Sequence, residues 1–410
     1  MSDQTIVIVG AGHAGGRAAE AMRQTGHTGR IVLVGEEAYP PYERPPLSKD
    51  VLATDYPVER TYLNPAEFYG ANQIELKLRT RAESIDPKDH KLLLSGEHAG
   101  DISYDRLLLV TGGRVRRLPS PGADLAGIHY IRTIDDSLGI KPLLKQDVRV
   151  VVIGGGFIGL EAAASARKLG CEVTVVEMMP TLLTRVCDVE VGDWFANFHR
   201  AHGVRVLTGV TVDRLEGQGK VERVVLGDGS VLPADLVIVG IGIIPNMELA
   251  VEAGLSVGNG IIVDEFGQTA DPDIFAAGDV ANLPNPILGT RLRLESWANA
   301  QNGGIAVARN MVIDGPMTPY SEVPWFWSDQ YDLNLQIAGA PAKWDKLVTR
   351  GDPAGGKFMT FYLHAGRVVA ANTFNLGRDM RFAKRLIETG KMVSESDLAD
   401  EKAALKNLAA

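Results

Sequence analysis

The sequence predicts an α/β fold of two like-built units followed by a C-terminal α+β domain, on three observations. Thr5-Ile6-Val7-Ile8-Val9 runs into Gly10-Ala11-Gly12-His13-Ala14-Gly15, and Arg149-Val150-Val151-Val152-Ile153 runs into Gly154-Gly155-Gly156-Phe157-Ile158-Gly159. Both apolar runs are short and rich in β-branched residues, and both end on the spacing G-x-G-x-x-G where a strand turns into a helix. In each copy a second apolar run then ends on an acid: Ile31-Val32-Leu33-Val34-Gly35-Glu36 in the first, Val173-Thr174-Val175-Val176-Glu177 in the second. After Pro319 the composition changes, and short alternating segments replace the strand–helix alternation.

The glycines let the chain turn tightly and bring backbone N–H groups and a helix N-terminus against a pyrophosphate, while the acid accepts hydrogen bonds from a ribose diol. A lone G-x-G-x-x-G is weak evidence, and the same glycines would serve two ordinary βαβ crossovers that need close helix packing. Here strand, glycines, helix and acid recur in order twice. The pattern therefore predicts two Rossmann-like dinucleotide-binding domains. Gly10, Gly12, Gly15 and Glu36 would hold one nucleotide, and Gly154, Gly156, Gly159 and Glu177 the other. Hydride transfer from nicotinamide to flavin is the simplest chemical reason to hold two. Glu177 would repel a 2′-phosphate, and Met178 and Met179 supply no guanidinium to neutralise one, so NADH is expected in preference to NADPH.

In chain order, the first unit closes on Tyr104-Asp105-Arg106-Leu107-Leu108-Leu109-Val110-Thr111-Gly112-Gly113, and Leu118-Pro119-Ser120-Pro121-Gly122 marks a crossing between domains. The second unit runs from Asp147 and closes in the same way, on Ala234-Asp235-Leu236-Val237-Ile238-Val239-Gly240-Ile241-Gly242. A return to the first domain follows at Thr269-Ala270-Asp271-Pro272-Asp273-Ile274-Phe275-Ala276-Ala277-Gly278-Asp279. There a short strand ends on Gly-Asp with a helix expected next. Asp279 would accept a ligand hydroxyl, or else merely cap the turn. Two of the five tryptophans then fall in Pro324-Trp325-Phe326-Trp327-Ser328-Asp329-Gln330. Segments such as Lys357-Phe358-Met359-Thr360-Phe361-Tyr362-Leu363 and Arg367-Val368-Val369-Ala370-Ala371 point to an antiparallel sheet, with helices over Met380 to Thr389 and from Ser396 to the end. The expected division is 1–113 with 245–322, 114–244, and 323–410.

A chain of 410 residues calls for two or three domains. Its net charge of −9 gives no electrostatic case for nucleic acid or an anionic membrane surface. No apolar run approaches the roughly 20 residues of a bilayer span, and the first residues carry no signal pattern, so a cytoplasmic location is expected. Cys171 and Cys187 make no C-x-x-C, which argues against a disulfide framework or a thiolate metal site. Flavoenzymes that reduce disulfides share this plan, the glutathione-reductase-like one, but carry a redox cysteine pair soon after the first nucleotide motif. Here that stretch reads Tyr42-Glu43-Arg44-Pro45-Pro46-Leu47-Ser48-Lys49, so electrons must leave the flavin by another route.

With those pieces in place, the whole chain resembles the flavin-dependent ferredoxin reductases of bacterial oxygenase systems, the putidaredoxin-reductase-like group. The resemblance is carried by Arg44-Pro45-Pro46-Leu47-Ser48-Lys49, Gly159-Leu160-Glu161, Gly278-Asp279 and Trp325-Phe326-Trp327-Ser328-Asp329-Gln330. It implies an FAD domain in two segments, an inserted NADH domain and a C-terminal domain over the flavin face. It places Gly10, Gly12 and Gly15 on the FAD pyrophosphate, Glu36 on the adenosine ribose and Asp279 on the ribityl chain, and Trp297 is counted with the cofactor-binding residues. Lys49 would reach the flavin near N5 with Glu161 as its partner, and Trp327 would lie by the isoalloxazine on the partner-facing side. A loop lysine and a helical glutamate are ordinarily solvated, so that pairing is what the resemblance implies. Val110-Thr111-Gly112-Gly113 departs from the commoner Ala-Thr-Gly-Ala, and Phe157 fills a variable slot of the second fingerprint.

The implied activity takes a hydride from NADH onto FAD and releases electrons singly to a 2Fe-2S ferredoxin, with a terminal oxygenase served only indirectly. A rubredoxin reductase is the near alternative. A signalling protein resembling apoptosis-inducing factor is the alternative of another class, and the lack of long insertions speaks against it. An NADH oxidase or peroxidase would want a redox cysteine near Lys49. Ferredoxins that serve such reductases are acidic, so positive charge is expected at the docking face. Arg291, Arg293 and Arg309 offer one group, and Arg378, Arg381, Lys384 and Arg385 another. A monomer or weak dimer is expected.

Overall fold

Uninterrupted apolar runs such as Ile6–Val9, Ile31–Val34 and Leu236–Val239 build the middle of the two parallel sheets of this chain, whose computed structural model describes residues 3–340 and 343–410. It divides into two compact units. One comprises Met1–Arg44, Glu59–Arg114 and Pro245–Phe326, the other Pro45–Val58, Val115–Ile244 and Trp327–Ala410.

In the first unit the sheet order is Ile274–Ala276, Arg106–Leu109, Ile6–Val9, Ile31–Val34, Ile74–Lys77, all parallel. Ile6, Ile8, Ile31 and Leu33 bury one face against Ala18 and Met22 of the helix His13–Gln24 and Val307 and Met311 of the helix Gly304–Val312. Val7, Val9, Val32 and Val34 bury the other against Ile85, Leu92 and Ile102 of a three-stranded antiparallel sheet. Both faces are covered, which is why these strands show no alternation of apolar and polar residues.

The second unit repeats the plan with Ile128–Tyr130, Leu236–Val239, Arg149–Ile153, Glu172–Glu177 and Arg205–Thr208. Val151, Ile153 and Val176 again meet residues of a three-stranded antiparallel sheet, Leu215, Val224, Leu226 and Leu232. The echo read in the sequence is thus an echo of topology. The same unit holds most of a five-stranded antiparallel sheet in the order Trp325–Gln330, Leu333–Gly339, Arg367–Phe374, Lys357–His364, Lys346–Asp352. The helix Met380–Thr389 packs on it.

Two expectations about elements need correction. No helix follows Asp279. A single 3-10 turn, Gly278–Val280, leads into the strand Ala281–Asn285, whose alternating burial and pairing of Ile261 with Ala281 outweigh any helical tendency. The C-terminal helix is also broken, into Glu395–Ala399 and Leu405–Ala409. Between them the Asp400 side chain accepts from the Lys402 N–H at 2.9 Å, and the Arg350 guanidinium donates to the carbonyls of Leu398, Asp400, Glu401 and Ala403.

Candidate functional site

In the first fingerprint the three glycines do different work. Gly10 has φ +119°, where L side chains are strained, and a Cβ there would run into the Val110 carbonyl. A Cβ on Gly15 would strike the Gly10 carbonyl and push the helix off its strand. At Gly12 a Cβ would meet only the Arg44 guanidinium, at 4.0 Å, and at Gly156 in the second fingerprint nothing lies within 4 Å. The outer glycines serve packing and the middle one leaves open space at a helix N-terminus, as an anion site requires. The residues present therefore fit a dinucleotide pyrophosphate in each unit.

Charge around the first fingerprint is set by Arg44. Its guanidinium donates to Glu37 at 2.8 Å and to the Tyr42 hydroxyl at 2.8 Å, and that hydroxyl donates to Glu37 at 2.6 Å. Burial works against the Arg44 charge, but Tyr42, Glu37 and Asp279 override it and hold the group above the ordinary arginine value. His13, the first residue of the helix, is lowered to about 4 by burial although its bond to Gln301 acts the other way, so it is neutral at neutral pH. The Trp297 ring meets His13 edge-on with centroids 5.1 Å apart. Gly278 lies against Ala14, its Cβ position 3.1 Å from the Ala14 methyl. The fold thus gathers Gly10, Gly12, Gly15, Asp279 and Trp297.

Glu36 stands apart. Val9 pairs with Val34 and Ile153 with Val176, so Gly35, and not Glu36, occupies the place of Glu177. A side chain at Gly35 would strike Ala11, which leaves no room for an acid there. Glu36 comes one residue later, 63% exposed, with its carboxylate 3.1 Å from Arg81. The sequence pattern had made the two acids equivalent, and the register corrects that. Glu37 and Arg44 were missed as partners, although the tandem Glu36-Glu37 and the Arg44-Pro45 motif were visible.

Glu177 ends its strand and is fixed by its own turn: its carboxylate accepts the Gly155 N–H at 2.5 Å and the Met179 N–H at 2.7 Å. Met178 beside it is 66% exposed.

The segment after Arg44 is pinned in the second unit. Pro45–Ser48 forms a 3-10 turn, and the serine hydroxyls of Ser137 and Ser165 donate to the carbonyls of Leu47 and Ser48, each near 2.9 Å or shorter. This brings Lys49 Nζ to 2.9 Å from Glu161 Oε1, on the first turns of the helix Phe157–Lys168. Glu161 is 4% exposed and also accepts from the hydroxyls of Ser48 at 2.5 Å and Ser328 at 2.6 Å. Along the strand Trp325–Gln330, side chains alternate: Ser328 and Gln330 are buried, while Trp327 points the other way and its indole N–H donates to Asp329 at 3.1 Å.

The proposed basic faces fare differently. Arg293 is 9% exposed and donates to the Asp279 carbonyl, Asn259 and Glu295, and Arg291 donates to the carbonyls of Val263 and Asn282. Arg293 is thereby taken up inside the fold, while Arg291 keeps an exposed surface. Arg309, Arg378, Arg381 and Arg385 are exposed, Lys384 is half-buried, and the helix begins at Met380, after Arg378.

Two sheets of one topology, each with an anion-ready glycine turn, define a two-nucleotide oxidoreductase. The chain belongs to the pyridine nucleotide-disulphide oxidoreductase family, whose model matches residues 4–304, and a reductase C-terminal model matches 325–409. It is 43% identical over 407 residues to the ferredoxin–NAD(+) reductase component of the anthranilate 1,2-dioxygenase system of Burkholderia cepacia, covering 99% of each chain. Among solved structures it superposes with TM-score 0.95 on the ferredoxin reductase for the CYP199A2 system from Rhodopseudomonas palustris, at 41% identity over 99% of this chain and 100% of that one. It superposes equally well, at 38% identity over 100% of this chain and 98% of the other, on a chain of the covalent putidaredoxin reductase–putidaredoxin complex. Among the described residues no helix is long and apolar enough to cross a membrane.

Proposed function

We propose that the chain moves electrons from NADH through FAD to a 2Fe-2S ferredoxin that supplies a cytochrome monooxygenase or a Rieske dioxygenase. The observation that carries this reading is end-to-end likeness, over 99% of the chain, to reductases named for such systems. The absence of any C-x-x-C from the sequence agrees with it, since the electrons then need no thiol relay. FAD, when bound, supplies the conversion between a two-electron hydride donor and a one-electron acceptor.

The chain's own residues bind, orient and balance charge. Gly10, Gly12 and Gly15 receive the FAD pyrophosphate with Arg44 as the nearby cation, Asp279 takes a hydroxyl, as does Glu36 from one residue past the place that Glu177 holds in the other unit, and Trp297 lines the cofactor. Gly154, Gly156, Gly159 and Glu177 receive NADH. Lys49, its Nζ 2.9 Å from Glu161 Oε1, offers positive charge where reduction builds negative charge. Trp327 faces the acceptor. The domains are read as 1–113 with 245–322 for FAD, 114–244 for NADH and 323–410 for the acceptor side, in a cytoplasmic monomer or weak dimer. NADH-driven reduction of a panel of purified 2Fe-2S ferredoxins and rubredoxins tests this. Turnover that depends on an added 2Fe-2S ferredoxin is expected. Turnover with rubredoxins alone would replace the acceptor, and none with either would refute the reading.

A further inference from the structure

Beyond the Lys49–Glu161 pair, a line of buried hydrogen bonds continues into the same unit. Ser328 Oγ lies 2.6 Å from Glu161 Oε1, Gln330 Nε2 lies 3.0 Å from Ser328 Oγ, and His199 Nε2 lies 2.7 Å from Gln330 Oε1. Every member is nearly inaccessible, with Glu161 at 4%, Ser328 at 1%, Gln330 at 2% and His199 at 0% exposure. Ser328 and Gln330 are two apart on one strand and so share its inward face, and His199 lies in the last turn of the helix Val189–Ala201.

The carboxylate fixes the direction of the whole line. An ionised carboxylate only accepts, so the Ser328 hydroxyl donates its one proton to Glu161 and can only accept from Gln330. Gln330 must then turn its NH2 to Ser328 and its carbonyl to His199, which in turn must carry its proton on Nε2. His199 Nδ1 is buried with no hydrogen-bond partner among the described residues. The same assignment leaves that nitrogen bare, avoiding an orphaned buried N–H, the rarer and costlier defect. Burial lowers His199 to about 4, against its bond to Gln330, with nearby His202 acting in the same direction as burial, so the ring is neutral at neutral pH.

We infer that Ser328, Gln330 and His199 are positioning residues, a line of hydrogen bonds all donating toward Glu161 that fixes its carboxylate and through it the aim of the Lys49 ammonium. Aligned donors polarise one another, and bonds to an ionised acceptor are the strong ones, so the loss of any link loosens the Lys49 end. The role for Lys49 rests on the proposed function. The direction of the line does not.

The test uses the full-length, FAD-loaded protein with 15N-labelled histidine. His199 is identified among the eight histidines by the signals missing from a His199→Gln variant. The expected result is a protonated Nε2 and a bare Nδ1, unchanged from about pH 8 to about pH 6 because the buried ring does not titrate in that range. A proton on Nδ1, or an imidazolium in that range, would overturn the inference. In rapid mixing with NADH, Gln330→Met and Ser328→Ala should each lower the maximal rate of flavin reduction on the order of tenfold with half-saturating NADH unchanged. Unmodified rates in both variants, or weakened NADH binding in place of a slower rate, would refute the positioning role. If NADH fails to reduce even the unmodified protein, the proposed function falls, and the histidine spectrum still decides the direction of the line.

Discussion

Converting Glu177 to Gln together with Met178 to Arg should move the nucleotide preference from NADH toward NADPH. Glu177 cannot swing away from an added phosphate, because the Gly155 and Met179 amides hold its carboxylate at 2.5 and 2.7 Å. Like charges about 4 Å apart repel by about 4 kcal/mol at an effective dielectric of about 20 and by about 1 kcal/mol in bulk water. Glu177 is half-buried, so an intermediate value of about 2 kcal/mol, roughly 30-fold in kcat/KM, is the discrimination expected of the unmodified protein. The exposed Met178 position gives a guanidinium room to reach a phosphate, adding about 1.5–3 kcal/mol for a charged hydrogen bond. The ratio of kcat/KM values for the two nucleotides should therefore change by roughly two to four orders of magnitude. Gln is preferred to Ala because it keeps one acceptor for the turn. The other amide loses its partner, and since Gly155 is buried the variant should be less stable by about 1–3 kcal/mol. Steady-state rates with ferricyanide as acceptor measure the ratio. Equal use of NADPH by the unmodified protein, or an unmoved ratio in the variant, would refute the placement of Glu177.

Asp279→Ala should lose FAD on dilution more readily than Asp271→Ala, since Asp279 contributes to the charge balance at Arg44 while Asp271 caps its own loop through the Asp273 N–H; equal retention of the yellow holoprotein would remove the distinction. Lys49→Met should keep FAD bound yet slow its reduction by NADH about tenfold or more in stopped flow, and an unchanged rate would make Lys49 a structural partner of Glu161 alone. Reversing charge at Arg309 or Arg385 should raise the KM for ferredoxin and flatten its salt dependence without touching ferricyanide reduction; ferredoxin turnover indifferent to ionic strength in the unmodified enzyme would end the electrostatic model. His199 is about 4 in the fold against 6.5 unfolded, so its contribution is complete above pH 6.5 and is lost as pH falls toward 4. By about pH 5 the loss is about 2 kcal/mol, so His199→Phe should lose less stability between pH 7 and pH 5 in urea titrations than the unmodified protein, and parallel losses would contradict the buried neutral ring.

The same residues divide what could be read from the chain and what could not. Local periodicity and turn chemistry act over a few residues, so the two strand–glycine–helix units, the return at Gly278-Asp279 and the helix Met380–Thr389 were legible from spacing alone. Where side chains a hundred or more positions apart compete for one space, the string carries no record. Lys49 and Glu161, and His199 and Gln330, met only when loop, helix and sheet were packed. Resemblance had implied the first pair. Nothing in the string marked the second, for a histidine in an apolar helix looks the same with or without a partner.

By itself the sequence determined the duplicated nucleotide-binding plan, because glycines with positive φ and buried β-branched strands admit few alternatives, and it determined the absence of a paired-cysteine route for electrons. Tertiary packing decided the rest. Close approach of Ala11 left no side-chain room at Gly35 and moved the first acid out to Glu36, carbonyls captured by Arg350 cut the last helix in two, and backbone partners claimed Arg291 and Arg293. In each case the deciding contact joins different elements, from the hairpin neighbours of Arg291 and Arg293 to the roughly fifty-residue reach of Arg350, and its geometry exists only once those elements have packed.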